Sequence, residues 1–294
     1  VINTFEKFVN DKANIKLNIE NPDIKMGLLP SVWLKADRFE ILNKDNSKAL
    51  SIGNPNLEIS LLKFFIGKCH ITYFSADSIN ANFLYTKDSK IYLGDYLIPK
   101  ENNSALDINR IKLNIQNYNV NVFDKSTNQN SVIKGNYFTI RKFLQNKRYS
   151  FATDVKLIVN NKVSIINIDT DLKLPLEKNL AKKSQYLNAT ITNLDLSSFS
   201  KYLSYFTNNE YYDLKGILNF EAHTTFSKAK ARTYSTNFIL SNFGLNGKDF
   251  SQKYYYKDRV EFLSKVTAID NDLYLNNVDV DAKNVNVSIT GVIN

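Results

Sequence analysis

From Gly27 to Tyr85 the chain reads as a succession of amphipathic strands, and this period-two alternation limits what it can fold into more than any other property. Val32, Leu34 and Ala36 alternate with Trp33, Lys35 and Asp37, so one side of the strand is apolar and the other is wet. After Asp37-Arg38 the phase slips by one residue, and Phe39 and Ile41 rejoin the apolar side, as they do across a β-bulge. Sheet of this kind must bury its apolar face against another sheet, against helices, against itself by curling, or against a ligand.

The same logic runs to the end of the chain. Ile15, Leu17 and Ile19 form a first strand that Asn21-Pro22 stops, and Asn43 to Ser47 is a polar hairpin turn. Leu57 and Ile59 continue the apolar face, followed by Ile71, Tyr73, Ile79 and Phe83. The longest run has Ile111, Leu113, Ile115, Val120 and Val122 between Asn, Lys, Arg and Gln, enough for a strand longer than 40 Å with one bulge, at about 3.3 Å per residue. A hairpin is expected around Asn160-Asn161-Lys162, and further strands fill Leu187 to Ile191 and Tyr212 to Asn294. Helical spacing is confined to short pieces: Val1 to Ala13, an apolar plug at Leu61 to Gly67, a turn at Arg141 to Leu144, and Phe199 to Phe206. The expected fold is therefore mainly β, a long antiparallel amphipathic sheet, its long strands suited better to a large curled sheet than to a compact sandwich, with a few short helices at its start, ends or edges. Its expected parts are residues 1–20 as an initial helix and strand, 21–150 as a first β region, and 151–294 as a continuation of the sheet.

Composition excludes more than it identifies. A net charge of +9 comes without any run of five or six like charges, so nucleic acid is not an expected partner. The single cysteine, Cys69, excludes an internal disulfide and a multi-cysteine metal site, and its neighbour His70 points to the opposite face of a strand. His70 and His223 lack metal spacing, and the pairs Asp169/Asp171 and Asp279/Asp281 fit the wet face of a strand better than acid–base chemistry. There is no phosphate loop, nucleophile elbow or dinucleotide fingerprint, so the chain reads as a non-enzyme with no cofactor. No stretch reaches the roughly 20 apolar residues of a membrane-spanning helix. The start at Val1 and the stop at Asn294, inside strand-like text, suggest a piece of a longer polypeptide.

The order Asn21-Pro22, Leu29-Pro30, VWLKADRFEIL, Ala49-Leu50, Leu57-Glu58-Ile59, Leu61-Leu62 and Ile66-Gly67 resembles the amino-terminal region of AsmA-like proteins. Asn193-Leu194-Asp195-Leu196 and the Gly-ended strands from Leu214 onward are similar to the later part of that family. The resemblance implies a periplasmic protein of a diderm bacterium, anchored to the inner membrane by a helix missing from this chain, with possible envelope protein partners. It also implies a bridge-like lipid transfer role, in which the curled sheet forms an open apolar groove that conducts phospholipid acyl chains between inner and outer membranes. On that reading the groove is lined by Val32, Leu34, Phe39, Ile41, Leu57, Ile59, Ile71, Tyr73, Ile79, Phe83, Ile111, Leu113, Ile115, Val120 and Val122. The competing readings are an outer-membrane barrel and a surface adhesin or scaffold with a dry, closed core.

Overall fold

A computed structural model describes residues 15–27, 31–60, 71–88, 90–98, 112–143, 148–173, 186–198, 200, 213–227, 231–246, 255–269, 272–282 and 285–293. Nearly all of them are strand, and they belong to two compact units, Val1–Asn160 and Asn161–Asn294.

The first unit contains β1 (Lys16–Glu20), β2 (Asp23–Met26), β3 (Ser31–Lys35), β4 (Arg38–Leu42), β5 (Lys48–Gly53), β6 (Asn56–Ser60), β7 (Ile71–Ala76), β8 (Ser78–Tyr85), β9 (Ile91–Leu93), β10 (Tyr96–Ile98), β11 (Lys112–Asp124), β12 (Gln129–Phe143) and β13 (Arg148–Val159). Pairing shows that most of the short strands are halves of longer ones. The series β1, β4, β5, β8, β11 is matched by β2, β3, β6, β7, β11, so each position in the sheet is one chain segment interrupted midway. Beyond β11 the sheet continues through β12 to β13.

The interruptions fall on one line across the sheet, and the line is built from asparagine and aspartate. Asn21, Asn54 and Asn117 are left-handed, with φ of 48°, 48° and 47°, a region that asparagine tolerates better than most residues. Asn21 Nδ2 donates to Asp37 Oδ2 (2.7 Å), Asn54 Nδ2 to Asp77 Oδ2 (2.9 Å), and Asn117 Nδ2 to the Asp77 carbonyl (3.3 Å). The backbone follows the same path: Asp37 N donates to Glu20 O, Asn54 N to Asp37 O, and Asp77 N to Gly53 O, at 2.8–3.0 Å. At the far end Asp154 receives the Asn136 and Tyr137 amides at 2.8 and 2.9 Å. Groups that a bulge removes from the ladder thus find partners within the line.

The sheet is mixed, which corrects the expected antiparallel one: β7 and β8 run parallel to β11. The intervening β9–β10 hairpin pairs with the end of β8 beyond β5. Gly94 (φ 58°) lets it approach Asn43 and Ala49, since a side-chain carbon there would lie 2.0 Å from Asn43 Oδ1. Tyr96 closes the contact, accepting from Lys16 N and donating to Leu42 O.

The second unit is a simple meander of β14 (Lys162–Lys173), β15 (Tyr186–Asp195), β16 (Asp213–Ser227), β17 (Ala231–Asn246), β18 (Tyr255–Ile269), β19 (Asp272–Ala282) and β20 (Val285–Ile293), each antiparallel to the next. A hairpin was expected around Asn160-Asn161-Lys162; Asn160 and Asn161 are both left-handed, and Lys162 already belongs to β14. The expected helical turn at Arg141 to Phe143 is strand, because β12 keeps pairing with β13 to its end. Among the described residues helix is confined to the 3-10 turn Leu196–Ser198 and to Ser200, and none of the expected short helices is seen complete there. The expected helices at Val1 to Ala13 and Leu61 to Gly67 lie outside the described residues, as does most of Phe199 to Phe206.

Asn54 tests the kink line. Alanine there keeps φ 48° at a steric cost and removes the bond to Asp77, for an expected loss of about 2–3 kcal/mol, whereas glycine removes the bond but not the backbone freedom. Urea titration should place Asn54→Gly between wild type and Asn54→Ala. Equal midpoints for all three chains would show that the line contributes no stability.

Candidate functional site

Directly paired residues point to the same side of a sheet, so the strand registers map each face. In the first unit one row runs Ile24, Leu34, Leu57, Phe74, Leu113, Ile140, Phe151. Beside it lie Val32, Ile59 and Ile71 on one side, and Ala76, Ile115, Phe138 and Thr153 on the other. Across the kink line the rows are Ile19, Phe39, Ile52, Ile79, Tyr118, and then Leu17, Ile41, Leu50, Ala81, Val120, Ile133, Leu157. Phe83, Val122 and Val159 continue this face.

The extra residue at each bulge returns the apolar phase to the same side, and contacts across the line verify it. The Tyr118 ring meets Phe138 edge-on at 6.3 Å, Phe138 meets Phe151 at 5.5 Å, and the Tyr118 hydroxyl lies 3.0 Å from Thr153 Oγ1. Gly135 allows this, since a side-chain carbon there would lie 2.3 Å from the Tyr118 ring. Burial pushes the Tyr118 phenol above its ordinary pKa, against the pull of the Thr153 hydrogen bond.

Thirteen of the fifteen expected lining residues share this face. Tyr73 does not: a register shift between Glu58 and Ile59 puts it on the wet face, and Phe74 takes its place. Ile111 lies outside the described residues. Tyr73 instead joins Trp33, whose ring is 5.4 Å away, and carries the Lys112 ammonium 5.4 Å above its ring.

The second unit repeats the apolar face with residues that were not singled out from sequence. One row reads Ile166, Ile191, Phe220, Phe238, Phe262, Val280, Val287. The adjacent row reads Ile168, Ala189, Ala222, Thr236, Ser264, Val278, Ile289. Small side chains therefore form the middle of the second row, beside a ridge of three phenylalanines. Thr236 and Ser264 bond to each other at 2.5 Å, which satisfies both hydroxyls. The period-two signal of these strands was as plain as in the first unit.

This face has little cover among the described residues. Eight of the fourteen buried apolar residues are alanines, whereas the large side chains of the rows are mostly half-buried. Six inter-strand steps of about 4.8 Å make each seven-strand row roughly 29 Å long.

The other face is wet and internally paired. Glu40 is 4% exposed and accepts from Lys48 Nζ (2.6 Å) and Asn18 Nδ2 (3.2 Å). The Lys48 hydrogen bond, against the opposing effect of burial and with help from Asn18, holds its carboxyl below the usual range. In the second unit Asp169 accepts from Tyr186, Asp279 from Ser288, and Glu221 lies 2.7 Å from His223 Nε2. A shallow depression of about 380 Å³ includes Glu221, His223, Lys265 and Asn277. No group of three or more potential metal ligands occurs among the described residues.

No family model matches the chain. Part of it is similar to the diaminopimelate epimerases of Rickettsia massiliae (strain Mtu5) and Rickettsia rickettsii (strain Sheila Smith), at 37% and 34% identity over 94 residues. The match covers 29% of this chain, and the chain spans about a third (34%) of the length of those enzymes.

Glu40 gives the wet face a pH signature. Its folded pKa is depressed, so its contribution is present above the unfolded carboxylate value and is lost as pH falls through the folded one. Glu40→Gln should be less stable than wild type by about 1–2 kcal/mol at neutral pH, and the gap should close on acidification. A gap that stays constant from neutral to acid pH would contradict this linkage.

Proposed function

We propose that the apolar face of this sheet binds the acyl chains of phospholipid or a related lipid, without catalysis. The observation that carries the reading is that apolar rows extend across the seven strand positions of each unit while most of their large side chains are only partly buried. A 30 Å hydrocarbon core is shared by two leaflets, so one tail occupies about 15 Å, which either set of rows can follow over its whole length. At ~0.8 kcal/mol per methylene, a 16-carbon chain in open water meets a barrier on the order of 12 kcal/mol. A continuous apolar face removes most of it. The headgroup stays in water, so no polar pocket is needed.

The resemblance to AsmA-like proteins supports a sheet curled into an open groove, a periplasmic location, an inner-membrane anchor and transfer between the two membranes of a diderm envelope. The likeness to diaminopimelate epimerases covers 29% of this chain and carries no activity to it.

Three neighbouring residues of β11 provide the test. Leu113 and Ile115 lie on the apolar face, and Asn114 between them lies on the wet one. Leu113→Asp and Ile115→Asp should each reduce lipid recovered with the purified protein several-fold, by native mass spectrometry, while Asn114→Asp leaves it unchanged. Undiminished lipid in folded Leu113→Asp and Ile115→Asp chains would overturn the assignment. Unfolding of both, with no lipid on the wild type, would mean a closed core.

A further inference from the structure

The wet face of the second unit is not paired throughout. Asn237 is one of three asparagines whose buried Oδ1 has no hydrogen-bond partner among the described residues. A buried acceptor left in this state costs stability, and a ligand that donates to it recovers that cost. Asn237 also borders two adjoining depressions, the one of about 380 Å³ beside Lys265 and another of about 230 Å³ that reaches Thr190 and Thr192. Strand register explains the hollow. On β17 the short side chains of Ser235 and Asn237 lie between His223 and Glu221 of β16 and Lys265 and Leu263 of β18. The longer neighbours form two walls, and the short ones form the floor.

We propose that this trough binds a small polyhydroxylated anion, a sugar acid or a sugar phosphate. Lys265 is exposed and enters no ion pair among the described residues, so its ammonium takes the acidic group. Hydroxyls of the ligand donate to three acceptors. Asn237 Oδ1 is the first; Asn277, opposite Lys265, gives its Nδ2 to Asp279 and keeps Oδ1; Glu221 commits one oxygen to His223 at 2.7 Å and keeps the other. Leu263, 38% exposed, offers an aliphatic surface to the C–H side of a sugar ring. Two strand steps and two residues separate Lys265 from Glu221, about 12 Å between backbones, which keeps the bound anion away from the carboxylate. Thr236 and Ser264, which alternate with these residues, belong to the apolar face. The trough is therefore on the other side of the sheet from the lipid rows, and its ligand is a water-soluble molecule rather than the headgroup of a lipid bound there. A site whose polar groups await hydroxyls rejects ligands that lack them.

Amide NMR of the full chain, titrated with glucuronate and with glucose 6-phosphate, tests the site, with glucose, acetate and inorganic phosphate as controls. At least one acidic sugar should shift β17 and β18 resonances saturably and bind at least tenfold more tightly than any control; which of the two does so identifies the acid. Lys265→Met should abolish the preference for that sugar over glucose. Asn237→Leu should weaken binding at least tenfold yet leave the thermal midpoint of the unliganded chain unchanged or higher, because it removes an acceptor that has no partner. A midpoint several degrees lower would assign the amide to the fold and overturn the proposal. No saturable shift from either acidic sugar up to about 10 mM would overturn it as well. Acetate or phosphate binding as tightly as the sugars means an adventitious ion only, and an undiminished preference in Lys265→Met removes the cation from the site; either result defeats the assignment. None of these readouts involves lipid, so they stand or fall separately from the lipid-binding reading.

Discussion

The hydrogen bonds that join left-handed asparagines to aspartates across the first unit hold its two half-sheets in one apolar phase. A strand that bulges alone would turn its remaining side chains to the wrong face and leave ladder groups unpaired. Here the positions from β1–β2 to β12 bulge together while β13 keeps strict alternation, and side chains along the line bond across it: Asn21 meets Asp37, Asn54 meets Asp77, and Asn136 meets Asp154. The shared line lets Tyr118 on one side of it pack against Phe138 and Phe151 on the other.

The other organising constraint is a core without a second layer among the described residues. More than half of the buried apolar residues described are alanines, and most of the larger side chains remain part-exposed along both sets of rows. Apolar surface left in water costs about 25 cal/mol per Å², so such a face favours any apolar chain that lies along it. The wet face has the opposite economy. Its carboxylates are matched to hydroxyl, amide or ammonium donors within the sheet, as at Glu40, Asp169 and Asp279, and are spent on structure.

Alternation made the strands and their apolar sides legible, and the slip after Asp37 announced one bulge of the line. Its neighbours were hidden because Asn54-Pro55 and Asn117 look like ordinary turn or wet-face residues until the strands are laid side by side. Tyr73 was misplaced for a related reason: period two from Ile71 is broken by a register shift against β6 that no local pattern marks. The parallel pairing of β11 was also invisible, since an amphipathic strand has the same alternation in either direction. In the second unit Phe220, Phe238 and Phe262 each announce an apolar side, but only the register shows that they form one ridge.

The two pairing schemes have unequal kinetic consequences. In the second unit every strand pairs with a neighbour in sequence, so the sheet can grow one hairpin at a time, each closing a short loop. In the first unit Asn80 must find Asn119, and Tyr73 must find Lys112, before the parallel seam exists. Those closures enclose the whole β9–β10 hairpin and cost more chain entropy before any contact offsets it. The meander can therefore be complete while the seam is still open, and the strand edges beside β11 are the last to be protected as the chain folds.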